Sequence, residues 1–177
     1  MRAEVATLTE LDGRLRLDFV EAEVTLLRDL LGRVGDLLAD TDTGTGTGTD
    51  TDTDTDAERR TPADPVLARL LPDAHREDRD VAAAYRDLTE AGLREDKQAD
   101  VGAVLAALPA EAGSAVLDDP DAWLRAVNDI RLMMGVELDI TEDTDVPQRV
   151  SDQRDFELAV YFWLTHLQDS LVEAVLS

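Results

Sequence analysis

The sequence predicts a mainly α protein, an irregular bundle of four to five helices with a small β-hairpin at its N-terminus. Three observations carry that expectation. Apolar residues recur at helical spacing in several long segments, most strongly from Phe156 to Ala174. Start and stop residues punctuate these segments where helices would begin and end. Near the N-terminus, Leu15 and Leu17 instead alternate with Arg14, Arg16 and Asp18, as a half-buried strand does.

The hairpin spans Val5 to Leu17 and turns at Asp12-Gly13, a dipeptide suited to a two-residue turn with positive φ. A lone hairpin is marginal in water, so this one must lie on the helices or pair with another edge. Asp18 is placed to cap the first long helix, with Glu21 at the capping-box position. Val20, Val24, Leu27, Leu31, Val34 and Leu38 form its apolar face, to about Asp40. Gly32 and Gly35 each cost about 1 kcal/mol relative to Ala in a helix interior, so its second half is expected to fray or bend.

Asp64-Pro65 opens a short helix from Val66 to Leu71, and Pro72 stops it. From about Glu77, Val81, Ala84, Tyr85, Leu88 and Leu93 mark a longer helical face. Lys97 begins a polar break before Val101, Val104, Leu105 and Leu108, giving one bent helix or two consecutive ones. Pro109 ends it. Glu111 to Leu117 reads as a connection around Gly113-Ser114. The central helix follows, with Asp119 as N-cap, Pro120 at the first position and Gly135 as the closing residue. Trp123, Val127, Ile130 and Met134 line one face, while Leu124 and Leu132 add a second apolar side. Such a helix is either fully buried or shared with another chain. After a loop from Asp139 to Arg149, Ser151 is expected to cap the last helix, 152 to about 176. Phe156, Val160, Trp163, Leu164, Leu167, Leu171 and Ala174 make its face, with Trp163 and Trp123 in a shared core.

The chain of 177 residues suits a single domain, 1–177, interrupted by a disordered Thr/Asp/Gly-rich insert at about 41–63. From Thr41 to Asp56 the tract TDTGTGTGTDTDTDTD has no apolar side chain with which to offset the entropy of ordering. Its alternating Asp residues lack the varied ligands and terminal Glu of an EF-hand loop, so a solvated linker is favoured over a calcium site.

Forty acidic against 17 basic residues give a net charge of −23, which opposes binding to phosphate backbones or anionic lipid. No cysteine is present, which excludes disulfides, thiolate nucleophiles and cysteine–metal sites. Neither a secretory signal nor an uncharged apolar run of about 18 residues is found, so a cytoplasmic protein is expected. Phosphate loops, nucleophile elbows and zinc-protease motifs are missing, and neither a cofactor nor a metal is expected.

Arg131 and Asn128, three apart beside the central stripe, are the sharpest candidates for a ligand or partner contact. A guanidinium there suits a bidentate grip on a carboxylate. The favoured alternative pairs it with an internal acid such as Glu21, Glu23 or Glu157. His166 has Asp169 nearby to orient it, yet Ser170 lies on the same helix, and a half-exposed His with a neighbouring acid is the simpler reading. Trp123 completes the candidate set. Met133, Met134 and Phe162 suit either core packing or a sticky partner surface.

The segments WLRAVNDIRLMMGVELDIT (Trp123 to Thr141) and YFWLTHLQDSLVEAVL (Tyr161 to Leu176) stand out, together with FVEAEVTLLRDLL in the first helix. They resemble an uncharacterised actinobacterial family, domain of unknown function 2017, over nearly all of the chain except the Thr/Asp tract. The resemblance implies gene neighbours that include the adaptor of the Clp protease and a metalloprotease with its sulfur-carrier substrate. It also implies a transcriptional-regulator label for some members. The leading expectation is therefore a non-enzymatic interaction or regulatory protein linked to Clp-type proteolysis or sulfur metabolism, with a protein partner or as a homodimer. A transcriptional regulator, and a small-ligand binder or enzyme using Arg131 and Asn128, are the alternatives.

Overall fold

The computed structural model of the protein describes residues 6–11, 13–39, 64–72 and 79–176, without the side chains of residues 11 and 79–88. The insert expected at 41–63 lies outside these residues. Along the described chain run β1 (Thr7–Leu11), β2 (Arg14–Phe19), α1 (Glu21–Ala39), α2 (Pro65–Leu70), α3 (Arg79–Ala107), β3 (Gly113–Val116), α4 (Pro120–Glu137) and α5 (Gln153–Val175).

The hairpin forms with Leu11 opposite Arg14, and Gly13 takes φ +74° in the two-residue turn. It does find another edge. Residues 113–116, expected as a connection, form β3 and pair antiparallel with β2, giving sheet order β1-β2-β3. Leu17 and Ala115 face each other across that pair, both fully buried. This pairing displaces the expected start of α1. Asp18 belongs to β2 and accepts from the Ser114 hydroxyl. Val20 is the residue before the helix, and Glu23 Oε2 accepts from its N–H at 3.0 Å. Val20 is 49% exposed and so leaves the apolar face that Val24, Leu27, Leu30, Leu31, Val34 and Leu38 make.

No break follows Gly32 or Gly35. Packing overrides propensity here, because α1 lies on α3 so closely that a Cβ on Gly35 would sit 3.8 Å from Val101 Cγ1. In α2, Asp64 Oδ1 accepts from the N–H of Val66 (2.7 Å) and Leu67 (3.3 Å). Helix α3 is one continuous helix, and Lys97 is no break in it.

Helix α4 lies at the centre and touches α1, α2, α3 and α5. Asp119 caps it as expected, accepting from Ala122 N–H at 3.0 Å. Gly135 does not close it. The helix runs two residues further, and Asp139 takes the left-handed conformation at φ 51°. The N–H groups of Asp139 and Ile140 bond back to Val136 and Gly135 at 3.2 and 2.9 Å, the paired pattern that satisfies a helix C-terminus. Gly135 instead lies beside the Tyr161 ring, 3.9 Å from where its Cβ would be. Leu124 and Leu132 are partly buried against the core.

Asp152, rather than Ser151, caps α5 and accepts from Asp155 N–H at 2.9 Å; Ser151 is occupied in donating to Asp155. Leu158, Val160, Leu164, Leu167 and Leu171 are buried, while Phe156 at the helix start is not. Trp123 stacks on Phe19 at 6.0 Å between centroids. Trp163 is only partly buried, its Nε1–H donating to Glu23 Oε1 at 3.2 Å. No helix among the described residues is long and apolar enough to cross a membrane.

Candidate functional site

Polar side chains gather along two seams of α4, one against α3 and one against α5. The first is fully paired in charge. Asp129 is 1% exposed in the middle of α4, and its Oδ1 accepts from Lys97 Nζ at 2.6 Å. Burial pushes the Asp129 carboxyl above the usual carboxylate range, and Lys97 opposes that shift without cancelling it. Its Oδ2 is buried without a partner. One turn earlier on α4, Arg125 grips Asp100 with two parallel bonds, Nε to Oδ2 at 2.7 Å and Nη2 to Oδ1 at 2.8 Å. That hydrogen-bonded carboxylate raises the already high Arg125 pKa.

The α5 seam is different. Arg131 Nη1 donates to Gln168 Oε1, and the Gln168 amide in turn donates to Asn128 Oδ1 at 3.4 Å. The guanidinium lies over the Tyr161 ring, 5.3 Å from its centroid, with Nη2 3.5 Å from the Tyr161 hydroxyl. Arg131 Nε is buried and has no hydrogen-bond partner. Among the described residues no carboxylate lies within ion-pair distance of Arg131. Of the acids expected to neutralise it, Glu23 bonds Val20 and Trp163, and Glu157 accepts from Gln153.

The structure thus brings Asn128 and Arg131 together and adds Gln168 and Tyr161 to them. These two are seven apart on α5 and so share a face, which was the signal available in advance. Trp123 is elsewhere, in the core against Phe19. His166 is exposed, and the Ser170 hydroxyl donates to its main-chain carbonyl, not to its ring, so no triad forms. Met133 and Met134 are buried at 0% and 4% exposure. Lys97 and Asp129 had one prior signal: Asp129 shares its helix face with Ala126 and Met133, an acid inside an apolar strip.

The oxidative stress regulators AosR of Mycobacterium bovis and Mycobacterium tuberculosis are each 33% identical to this chain over 181 residues, covering 91% of it and 82% of their own length. An AosR relative from Mycobacterium leprae is 33% identical over 183 residues, covering 93% of this chain and 83% of its own. No solved structure matches the chain. Residues 3–175 match the family described as Domain of unknown function (DUF2017), and the chain belongs to that family.

Proposed function

We propose that this chain is a non-enzymatic cytoplasmic regulatory protein that acts through protein contact, with a partner or as a homodimer, and that any oxidant signal it serves is read by another component. The similarity to proteins named as oxidative stress regulators, running over 91% of the chain, carries this reading. The chain's own chemistry sets its second half. Oxidant sensing by a protein's own side chains rests on thiolates, or more rarely on accessible methionines. This chain has no cysteine, and of its three methionines Met133 and Met134 are sealed in the core. A charge of −23 argues against direct DNA contact and favours a partner surface of opposite sign. The Clp and sulfur-metabolism neighbourhood implied by the family resemblance fits such a role.

Two measurements test the proposal. Deletion of the gene should change survival under peroxide, and the cysteine-free wild-type gene should restore it; an unchanged peroxide response contradicts the regulatory half. Purified protein exposed to excess peroxide should keep its secondary structure and oligomeric state. A peroxide-induced change in either contradicts the claim that sensing lies elsewhere.

A further inference from the structure

We propose that the Nε–Nη2 edge of Arg131 is a receptor for one carboxylate, borne by a small molecule or by another protein. The molecule carries its own template for this. On the same helix, Arg125 presents the same edge to Asp100, and both donors are filled by carboxylate oxygens at 2.7 and 2.8 Å. In Arg131 that edge has only the Tyr161 hydroxyl, 3.5 Å from Nη2, and nothing on Nε. The remaining contacts hold the guanidinium without neutralising it. Gln168 takes Nη1, Asn128 steadies Gln168, and the Tyr161 ring lies beneath.

Charge statistics sharpen the contrast. Acids outnumber bases 40 to 17, yet this partly buried cation is surrounded by an amide pair and a phenol. Of the other partly buried cations among the described residues, Lys97 and Arg94 each have a carboxylate partner, and Arg28 has both its bonds to the Leu108 and Pro109 carbonyls; none of them has a buried donor without a partner as Arg131 does. A planar fork fixed by neutral acceptors is what bidentate recognition of a carboxylate requires. Because Nε is screened from solvent, the ligand enters at the Tyr161 hydroxyl and displaces it, so binding moves that ring. This inference does not depend on the regulatory reading, since a chain that bound no carboxylate would still act by protein contact.

The test follows arginine Nε–Hε resonances of the full chain during titration with sodium acetate, with sodium chloride at matched ionic strength as control. Arg131 and the Tyr161 ring should shift and saturate with acetate, while Arg125, already held by Asp100, stays in place. A parallel titration with N-acetylglutamate amide identifies the source: tighter binding than acetate indicates a protein-borne acid, equal binding a free one. Arg131→Lys keeps the charge but loses the fork, and should weaken binding about tenfold. Gln168→Leu keeps Arg131 and loses its orienting acceptor, so it serves if the lysine variant does not fold. Shifts that merely follow the chloride control, or acetate binding unchanged in a folded variant of either kind, overturn the proposal.

Discussion

The two seams of α4 solve the same problem in opposite ways. Toward α3, every charge is met by an opposite charge, even at the cost of burying Asp129 and leaving one of its oxygens without a partner. Toward α5, a cation is held by an amide chain and an aromatic face, with one donor edge left open. A closed pair resists disturbance only as a pair, because removing one member strands the other in a medium that solvates charge poorly. An open cation strands no counter-ion when it is removed and remains available to a ligand. The α3 seam therefore has the character of architecture, and the α5 seam is the one we propose as a site.

The largest effect should come from breaking the closed seam. Asp129→Ala leaves the Lys97 ammonium without its counter-ion, with a side chain only 16% exposed, and should cost about 3 kcal/mol in urea unfolding. Replacing both residues, as Lys97→Met with Asp129→Leu, should recover most of that loss. If the double variant is as unstable as the single one, charge pairing is not what this seam supplies.

Acidity separates the seams in a second way. Asp129 holds its proton more tightly folded than at its unfolded value of 3.8, because burial penalises the ionised form. Protonation then favours the folded state. Its contribution is fully present below pH 3.8 and is lost as the pH rises through the higher folded value. Wild type should gain stability relative to Asp129→Asn as the pH falls from 7 to 4; a relative loss would mean that Lys97, not burial, dominates the site.

A smaller contrast compares the two arginines of α4. Arg131→Met loses the Gln168 bond and the stacking on Tyr161, and should cost about 1–2 kcal/mol. Arg125→Met should cost about 1 kcal/mol despite its better hydrogen bonds, because its side chain is 55% exposed and well screened. The reverse order in denaturation midpoints would show that burial does not decide these costs. Smallest is Gly135→Ala. The new methyl group would meet Tyr161 at 3.9 Å, an ordinary contact, so the gain in helix propensity of about 0.5–1 kcal/mol should appear as a modest rise in Tm.

How far the sequence revealed this arrangement follows from which signals are local. The Asp119 and Asp64 caps, the apolar stripe of α4 and the hairpin turn depend on neighbours a few residues away, and they were legible. Strand β3 was not, because four residues beginning Gly-Ser carry little strand character until β2 offers them an edge. Asp18 read as a helix cap for the same reason, since only its pairing with Ser114 shows that β2 continues past it. Lys97 looked like a break because its partner lies 32 residues away on another helix. Asn128 and Arg131 were visible at their spacing, whereas the identity of their partners was not. An acid was the natural expectation for Arg131, and an amide is what the fold supplies.

That substitution of amide for acid can be reversed in one residue. Gln168→Glu places a carboxylate where Arg131 now meets an amide oxygen, making the α5 seam resemble the α3 seam. If Arg131 is a cation kept open for a carboxylate, the variant should be about 1 kcal/mol more stable in urea, and its Arg131 Nε–Hε resonance should respond more weakly to acetate, because a carboxylate on Nη1 neutralises the charge while the Nε–Nη2 edge stays free. A less stable variant that still shows the full acetate response would contradict the assignment of an open cation site to this seam.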